Sequence, residues 1–280
     1  MSVVINTNYA AVLARKNLAE VQRQMDKSVE RLSSGKRINN AADDAAGSAI
    51  AGRMESQIRG LTMAIRHAKD GQSLVGTSEG AMQEVNKILQ RMRELAVQAV
   101  SGVASQTDKN YLQLEMKHLI SEIYSIGQNT KFNDMNLLTG GTFTFYTDID
   151  VAGSAITTAK ASVAAVNLGV TAALVDIGSS TSNTSTTGVQ AVITRLDSAI
   201  ATVDNRRAAL GAVSNRFDHI VDNLQNVIMN TVQSQSRIVD ADFSIETTNL
   251  TRNTVLQQAA TSMLAQANAQ KNSILALIQQ

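Results

Sequence analysis

Cysteine, proline and tryptophan are all absent from the 280 residues. Without cysteine there are neither disulfides nor thiolate metal sites, and thiol usage carries no message about compartment. Without proline the commonest interruption of a helix is missing, which suits long unbroken helices. Aromatic residues make up only 3%. Large compact cores lean on aromatics for buried area, whereas coiled coils are built from Leu, Ile, Val, Met and Ala, so elongated helices are expected rather than a globule. A surplus of charge is lacking too, with 25 Lys and Arg against 24 Asp and Glu. No bulk electrostatic attraction to nucleic acid or to a membrane surface follows. No run reaches the roughly 18 to 20 apolar residues that a membrane span needs. The start MSVVINTNYA has neither the basic region nor the apolar core of a signal peptide. The chain is expected in the cytosol, or outside the cell by a route that ignores such signals.

Catalytic patterns are equally scarce. His67, His118 and His219 lie in different segments without metal-ligand spacing, and each reads as a helix-surface residue. No P-loop, nucleophile elbow or dinucleotide fingerprint occurs, so neither cofactor nor enzymatic activity is expected. Asp43 and Asp44 are adjacent, but neighbours in sequence point apart on a helix, which favours capping over acid–base chemistry.

Heptad-like periodicity is present instead. Ala14, Leu18, Val21, Met25, Ser28 and Leu32 alternate four and three apart, which places them on one seam of a helix whose other face carries Arg15, Lys16, Glu20, Arg23, Asp26, Lys27 and Glu30. Such a stripe needs a partner helix. Leu256, Ala260, Met263, Ala267, Gln270, Ile274 and Leu277 repeat the spacing near the other end and are expected to supply it. Between these two seams, SSGKRINNAADD marks a break and a new helix start, with Asn40 or Asp43 as its cap. Helical pattern then resumes through Gly47, Gly52, Gly60, Gly71, Gly76 and Gly80; glycines this dense imply close backbone approach or one or two loops.

Leu74, Ser78, Ala81, Val85, Ile88, Met92, Leu95 and Ala99 form the next seam. After a turn at SGVASQTD comes a shorter helix, with Leu112, Met116, Leu119, Ile123 and Ile126 on the same rhythm, antiparallel to its predecessor and closed by Gly127. TFTFYT and SAITTAKASV read as a hairpin across DIDVAG, and SSTSNTSTTG, from Ser179 to Gly188, as a polar surface loop. The most regular seam runs Leu196, Ile200, Val203, Arg207, Leu210, Ser214, Phe217, Val221, Leu224, Ile228 and Thr231. At 1.5 Å per residue it spans roughly 54 Å, and the two preceding helices are its expected partners in a three-helix bundle. IVDADFSIE then breaks the pattern and starts the last helix.

RLSSGKRINNAADDAAGSAIAGRM (Arg31 to Met54) resembles the signature of bacterial flagellins, the subunits of the flagellar filament. HAKDGQSLVGTSEGAMQEVNKILQRMRELAVQA, LGAVSNRFDHIVDNLQN and LQQAATSMLAQANAQKNSILALIQ are also similar to flagellin, in the family's order. With the connecting helices, the resemblance covers all but about 50 central residues. It implies a mainly α fold: an inner coiled-coil domain from residues 1–44 and 238–280 at the filament core, and an antiparallel helical bundle over 45–237. The bundle would carry a small β-hairpin and a variable polar loop at about 140–188. The outer domains that many relatives insert at the centre are expected to be missing. The implied function is self-assembly into a homopolymer, the filament of motility. Leu18, Val21, Met25, Leu32, Leu256, Met263, Ile274 and Leu277 would form the assembly seam, with both ends folding as subunits dock.

Residues 1–40 carry seven basic and three acidic side chains, whereas 238–280 carry two basic and three acidic; this asymmetry is expected to guide pairing, although exposed ion pairs are individually weak. The resemblance also implies export through the flagellum's own secretion apparatus with an export chaperone, an unfolded N-terminal leader, and contact with hook-associated junction and cap proteins. The family's helix for recognition by an animal Toll-like receptor matches Gln90, Arg91, Met92, Arg93, Glu94 and Leu95, with Glu115 on the neighbouring helix; methionine at position 92 replaces the usual valine. A merely solvated Arg91 is the alternative reading. Ser179, Ser180, Thr181, Ser182, Thr184 and Ser185 invite O-glycosylation or form a plain polar loop. Asn183-Thr184-Ser185 and Asn249-Leu250-Thr251 match the short N-glycosylation pattern. A hook–filament junction protein of the same family and a cytosolic coiled-coil signalling hairpin are the competing readings of the heptads.

Overall fold

A computed structural model describes residues 7–101, 104–146, 155–159, 168–172, 174–177 and 186–278. Five helices dominate: α1 (Tyr9–Ser34), α2 (Ala45–Val100), α3 (Gln106–Asn129), α4 (Thr186–Val239) and α5 (Phe243–Ile278). Between α3 and α4 come two antiparallel strand pairs, β1 (Lys131–Phe132) with β2 (Met135–Asn136), and β3 (Thr142–Tyr146) with β4 (Ala155–Ala159). The chain divides into two compact units, 1–58 with 229–280 and 59–228, so the division falls within α2 and α4.

The larger unit holds the main core. Leu74, Val85, Leu89, Met92 and Leu95 of α2, Met116 and Ile123 of α3, and Leu196, Val203 and Phe217 of α4 are all buried in one cluster. The three seams therefore do meet as a bundle. Polar pairs fix the direction of α2 against α4: Gln72 donates to Asp218 at 2.6 Å, Asn86 to Asp204 at 2.5 Å and Arg93 to Asp197 at 2.6 Å. Numbers rise on one helix as they fall on the other, so the two run antiparallel.

The expected hairpin forms, with Thr142 opposite Ala159 and Tyr146 opposite Ala155. Phe143 and Phe145 on its inner face pack against the main core, and Phe145 meets Phe217 edge to face at a centroid distance of 5.5 Å. The smaller hairpin β1–β2 was not legible from hydrophobic alternation. Its turn residues Asn133 and Asp134 have φ of 47° and 62°, a left-handed pair that these short polar side chains tolerate.

α2 runs unbroken through its glycines, so no loop interrupts it. A Cβ on Gly71 would lie 2.7 Å from the Phe217 ring, and one on Gly47 would lie 2.8 Å from Ile38, whereas Gly52, Gly76 and Gly80 face open space. Close approach accounts for two of these glycines and not for the other three. Two further expectations are corrected. α3 does not close at Gly127, which is buried inside it; the helix ends at Asn129, where Thr130 donates its hydroxyl to the Ile126 carbonyl at 2.6 Å. The polar run from Ser179 to Gly188 is not loop to its end, because Thr186, Thr187 and Gly188 already belong to α4. The rest of that run, with Ser179, Ser180, Thr181, Ser182, Thr184 and Ser185, lies outside the described residues.

Candidate assembly surface

α1 begins at Asn8, whose side chain accepts from the Ala11 amide and donates to the Ala267 carbonyl of α5 at 3.0 Å. Farther along, Gln257 donates to Gln22 at 2.6 Å, and Arg31 meets Glu246 at 2.8 Å. These three contacts order α1 and α5 as an antiparallel pair. On α1 the facing residues are those of the sequence seam: Ser28 is buried, and Ala14, Leu18, Val21, Met25 and Leu32 are half-buried, with Ala11 extending the stripe.

On α5 the register differs from expectation. Glu246, Leu250, Asn253, Gln257, Ala260, Leu264 and Ala267 are the covered positions, again four and three apart. Ala260 and Ala267 agree with expectation, but Leu256 and Met263 are not among the covered positions and are 44% and 65% exposed. With Ile245 they form a second apolar stripe, about 100° round the helix from the covered one. The side chains of Ile274 and Leu277, in the last turns of α5, lie outside the described part of the structure. Sequence reasoning missed Glu246, Asn253 and Gln257 because polar residues at seam positions carry no hydrophobic signal; their four-and-three spacing was the one clue.

Backbone contacts tie the two turns of this unit together. Gly35 closes α1 with φ 70°, a conformation that glycine adopts without strain. Its carbonyl accepts from Ala241, and the Arg37 amide donates to the Val239 carbonyl at 2.6 Å. The cap of α2 is Asp44 rather than Asn40 or Asp43: its carboxylate accepts from the Gly47 amide at 2.9 Å. Asp43 instead receives the amides of Asn39 and Asn40 and the Lys27 ammonium at 2.7 Å. The Lys27 donor first, then the two amides, hold its carboxyl down at about 2.

In the other unit, the receptor-type residues fall in two environments. Arg91 is exposed and lies between Glu115, at 3.0 Å, and Glu94, at 3.1 Å. Glu115 and then Glu94 raise its already high pKa, so its charge is fixed. Gln90 is exposed beside it and donates to Asn86. Leu95, by contrast, is 1% exposed and packs in the core, as does Met92, so neither can touch a partner. The three histidines sit on exposed helix surfaces. Among the described residues no cluster of His, Cys, Asp and Glu is arranged to hold a metal ion, and no helix is long and apolar enough to cross a membrane.

Comparison with known proteins gives a consistent result. Residues 5–142 match the family model for the bacterial flagellin N-terminal helical region, and 193–278 that for the bacterial flagellin C-terminal helical region. The chain is 39% identical to a flagellin of Halalkalibacterium halodurans, covering 99% of this chain and 100% of that one. It is 35% identical to flagellin FlaB2 of Treponema pallidum over 99% and 100% respectively. A solved structure of a putative flagellar hook-associated protein from Vibrio parahaemolyticus superposes with a TM-score of 0.60 at 12% identity, covering 71% of this chain and 100% of that one, a likeness of fold alone.

Proposed function

The chain belongs to the bacterial flagellin family and is a structural subunit of the flagellar filament, and from that premise we propose that α1 and α5 are its assembly element, completed only when sister subunits dock. The observation that carries this reading is the mismatch on α5. The face turned to α1 is rich in polar residues, while Ile245, Leu256 and Met263 are left uncovered. On α1, Tyr9, Val12 and Leu13 are likewise exposed. An isolated helix pair with so little mutual apolar burial is marginal, and covering these side chains in neighbouring copies gains roughly 1.5 to 3 kcal/mol for each one fully buried. Ordering is then coupled to polymerisation, and contacts that do not close into a ring propagate as a helical fibre. Leu18, Val21, Met25 and Leu32 hold the pair together, and Leu256, Met263, Ile274 and Leu277 face other subunits. Family membership favours the filament subunit over the junction protein, since the hook-associated likeness shows fold alone.

Aspartate at Leu256 or Met263 tests this reading. Either variant is expected to keep its helical circular dichroism and lose filaments under the electron microscope. Normal filaments from both would defeat the reading.

The same premise extends to the outside of the cell, where the filament lies. Export is through the flagellar secretion apparatus with a chaperone, cap and junction proteins meet the ends of the polymer, and the role is structural without catalysis. Gln90, Arg91 and Glu115 form the patch that an animal Toll-like receptor reads, while buried Leu95 only supports it. An exposed arginine preset by two carboxylates is a suitable hot spot. Arg91→Ala is expected to reduce receptor-reporter signalling about tenfold or more, because hot-spot truncations cost above roughly 1 to 2 kcal/mol. A wild-type chain that leaves the reporter silent, or an unaffected variant, would remove the receptor claim.

A further inference from the structure

The chain has ten methionines and no cysteine, so thioethers are its only sulfur and no thiol competes for a peroxide. Their environments divide sharply. Met82, Met92 and Met116 are sealed in the core of the larger unit. Met229 and Met263, at 64% and 65%, are the most exposed methionines among the described residues, ahead of Met63 and Met135. Both belong to the unit that contains the two terminal helices, 1–58 with 229–280. Met263 stands on the apolar stripe with Ile245 and Leu256, and α5 carries no charged residue from Asn253 to Gln270, which suits a face that gives up its water.

Hydrogen peroxide transfers one oxygen to such a sulfur. The sulfur lone pair forms the S–O bond, the O–O bond breaks, and the second oxygen leaves as water, so the thioether loses two electrons and the peroxide gains them. The sulfoxide is close to methionine in length but carries a strong hydrogen-bond acceptor, and covering it costs free energy where covering the thioether releases it. Met263 is not among the positions that α1 covers, so its oxidation leaves the contacts of Asn8, Gln22 and Arg31 with α5 in place. We propose that Met263 is a redox switch of assembly: as the sulfoxide it bars the unpolymerised chain from the polymer, and once covered by a sister subunit it is shielded from peroxide. The inference rests on the reading of Ile245, Leu256 and Met263 as the face that other copies cover. A dithiol-dependent reductase resets the switch, since reduction of the sulfoxide releases its oxygen as water and leaves the dithiol as a disulfide.

The test is partial oxidation of the unpolymerised full chain with hydrogen peroxide, removal of the oxidant, seeding with untreated filament fragments, and peptide mass spectrometry of pellet and supernatant. Met229, of equal exposure, reports that the oxidant reached both sulfurs alike. The Met263 sulfoxide should be depleted from the pellet about tenfold or more, the factor that covering one apolar side chain is worth. The same dose applied to finished filaments should oxidise Met263 about tenfold more slowly, because susceptibility follows exposure. Met263→Leu, a swap of like volume, should polymerise as fully after peroxide as before it. Equal sulfoxide at Met263 in both fractions, oxidation in filaments at the free-chain rate, or Met263→Leu chains that peroxide still blocks would each overturn the proposal. Leu256→Asp and Met263→Asp are assayed alongside. If they lose filaments while the sulfoxide partitions equally, the switch falls and the assembly face stands; normal filaments from both remove the face and the switch with it.

Discussion

A single methyl group separates the glycines of α2 into two kinds. Alanine is favoured over glycine inside a helix by about 1 kcal/mol, so a retained helical glycine needs a reason. At Gly71 the reason is Phe217, fully buried and locked edge to face against Phe145, which leaves a Cβ no room. At Gly76 nothing lies within 4 Å. Gly71→Ala should therefore destabilise the larger unit, since overpacking costs about 1 to 3 kcal/mol and outweighs the propensity gain. Gly76→Ala should stabilise it by up to about 1 kcal/mol. Urea denaturation of the two variants beside wild type decides, and shifts of the same sign would refute the distinction. Asp43 makes a second prediction at this scale. Its folded pKa of about 2 lies below the ordinary 3.8, so its stabilising effect is complete above pH about 4 and is lost as pH falls through about 2. The stability gap between wild-type filaments and Asp43→Asn should be full near neutrality and close across that window. A gap that persists at pH 2 would mean that Asp43 acts through shape alone.

Among the elements, α1 was legible and α5 was not, for a reason visible in their side chains. Charged residues mark the solvent face of α1, so its seam follows by elimination and agrees with the covered positions at Leu18, Val21, Met25 and Ser28. α5 has few charges, and its apolar residues fall into two stripes, one containing Leu250 and Leu264, the other Leu256 and Met263. Periodicity cannot say which stripe meets α1; the polar contacts of Gln257 and Glu246 decide it, and those depend on what α1 presents. The same limit applies to helix ends. Ser105 with Asp108 is a reciprocal capping box that local sequence specifies. Asp44 and Asp43 compete for the same cap, and Lys27, far away in sequence, draws Asp43 to another task. Gln113, which holds the Ile177 amide at 2.8 Å and the Val175 carbonyl, likewise serves a segment more than sixty positions distant that no pattern links to it.

Across the whole molecule, the two units differ in what holds them. The larger unit has a continuous apolar core drawn from three helices and a hairpin. The terminal unit relies on half-buried Leu18, Val21, Met25 and Leu32, on alanines, the Gln22–Gln257 amide pair and one shielded ion pair, with Leu256 and Met263 left uncovered. Local stability should follow this division. In the unpolymerised chain, α1 and α5 amides should exchange with deuterium far faster than those of α2 and α4 within 59–228, and polymerisation should slow the terminal amides by orders of magnitude while the others change little. If assembly supplies what the terminal unit lacks, the end of α5 is needed for the polymer and not for the bundle. Removing residues 274–280, or changing Leu277 to Asp, should then abolish filaments while circular dichroism and the urea transition of the larger unit stay as in wild type. Filaments from the truncated chain, or strong protection of α1 and α5 before polymerisation, would each show that the terminal helices are complete without their neighbours.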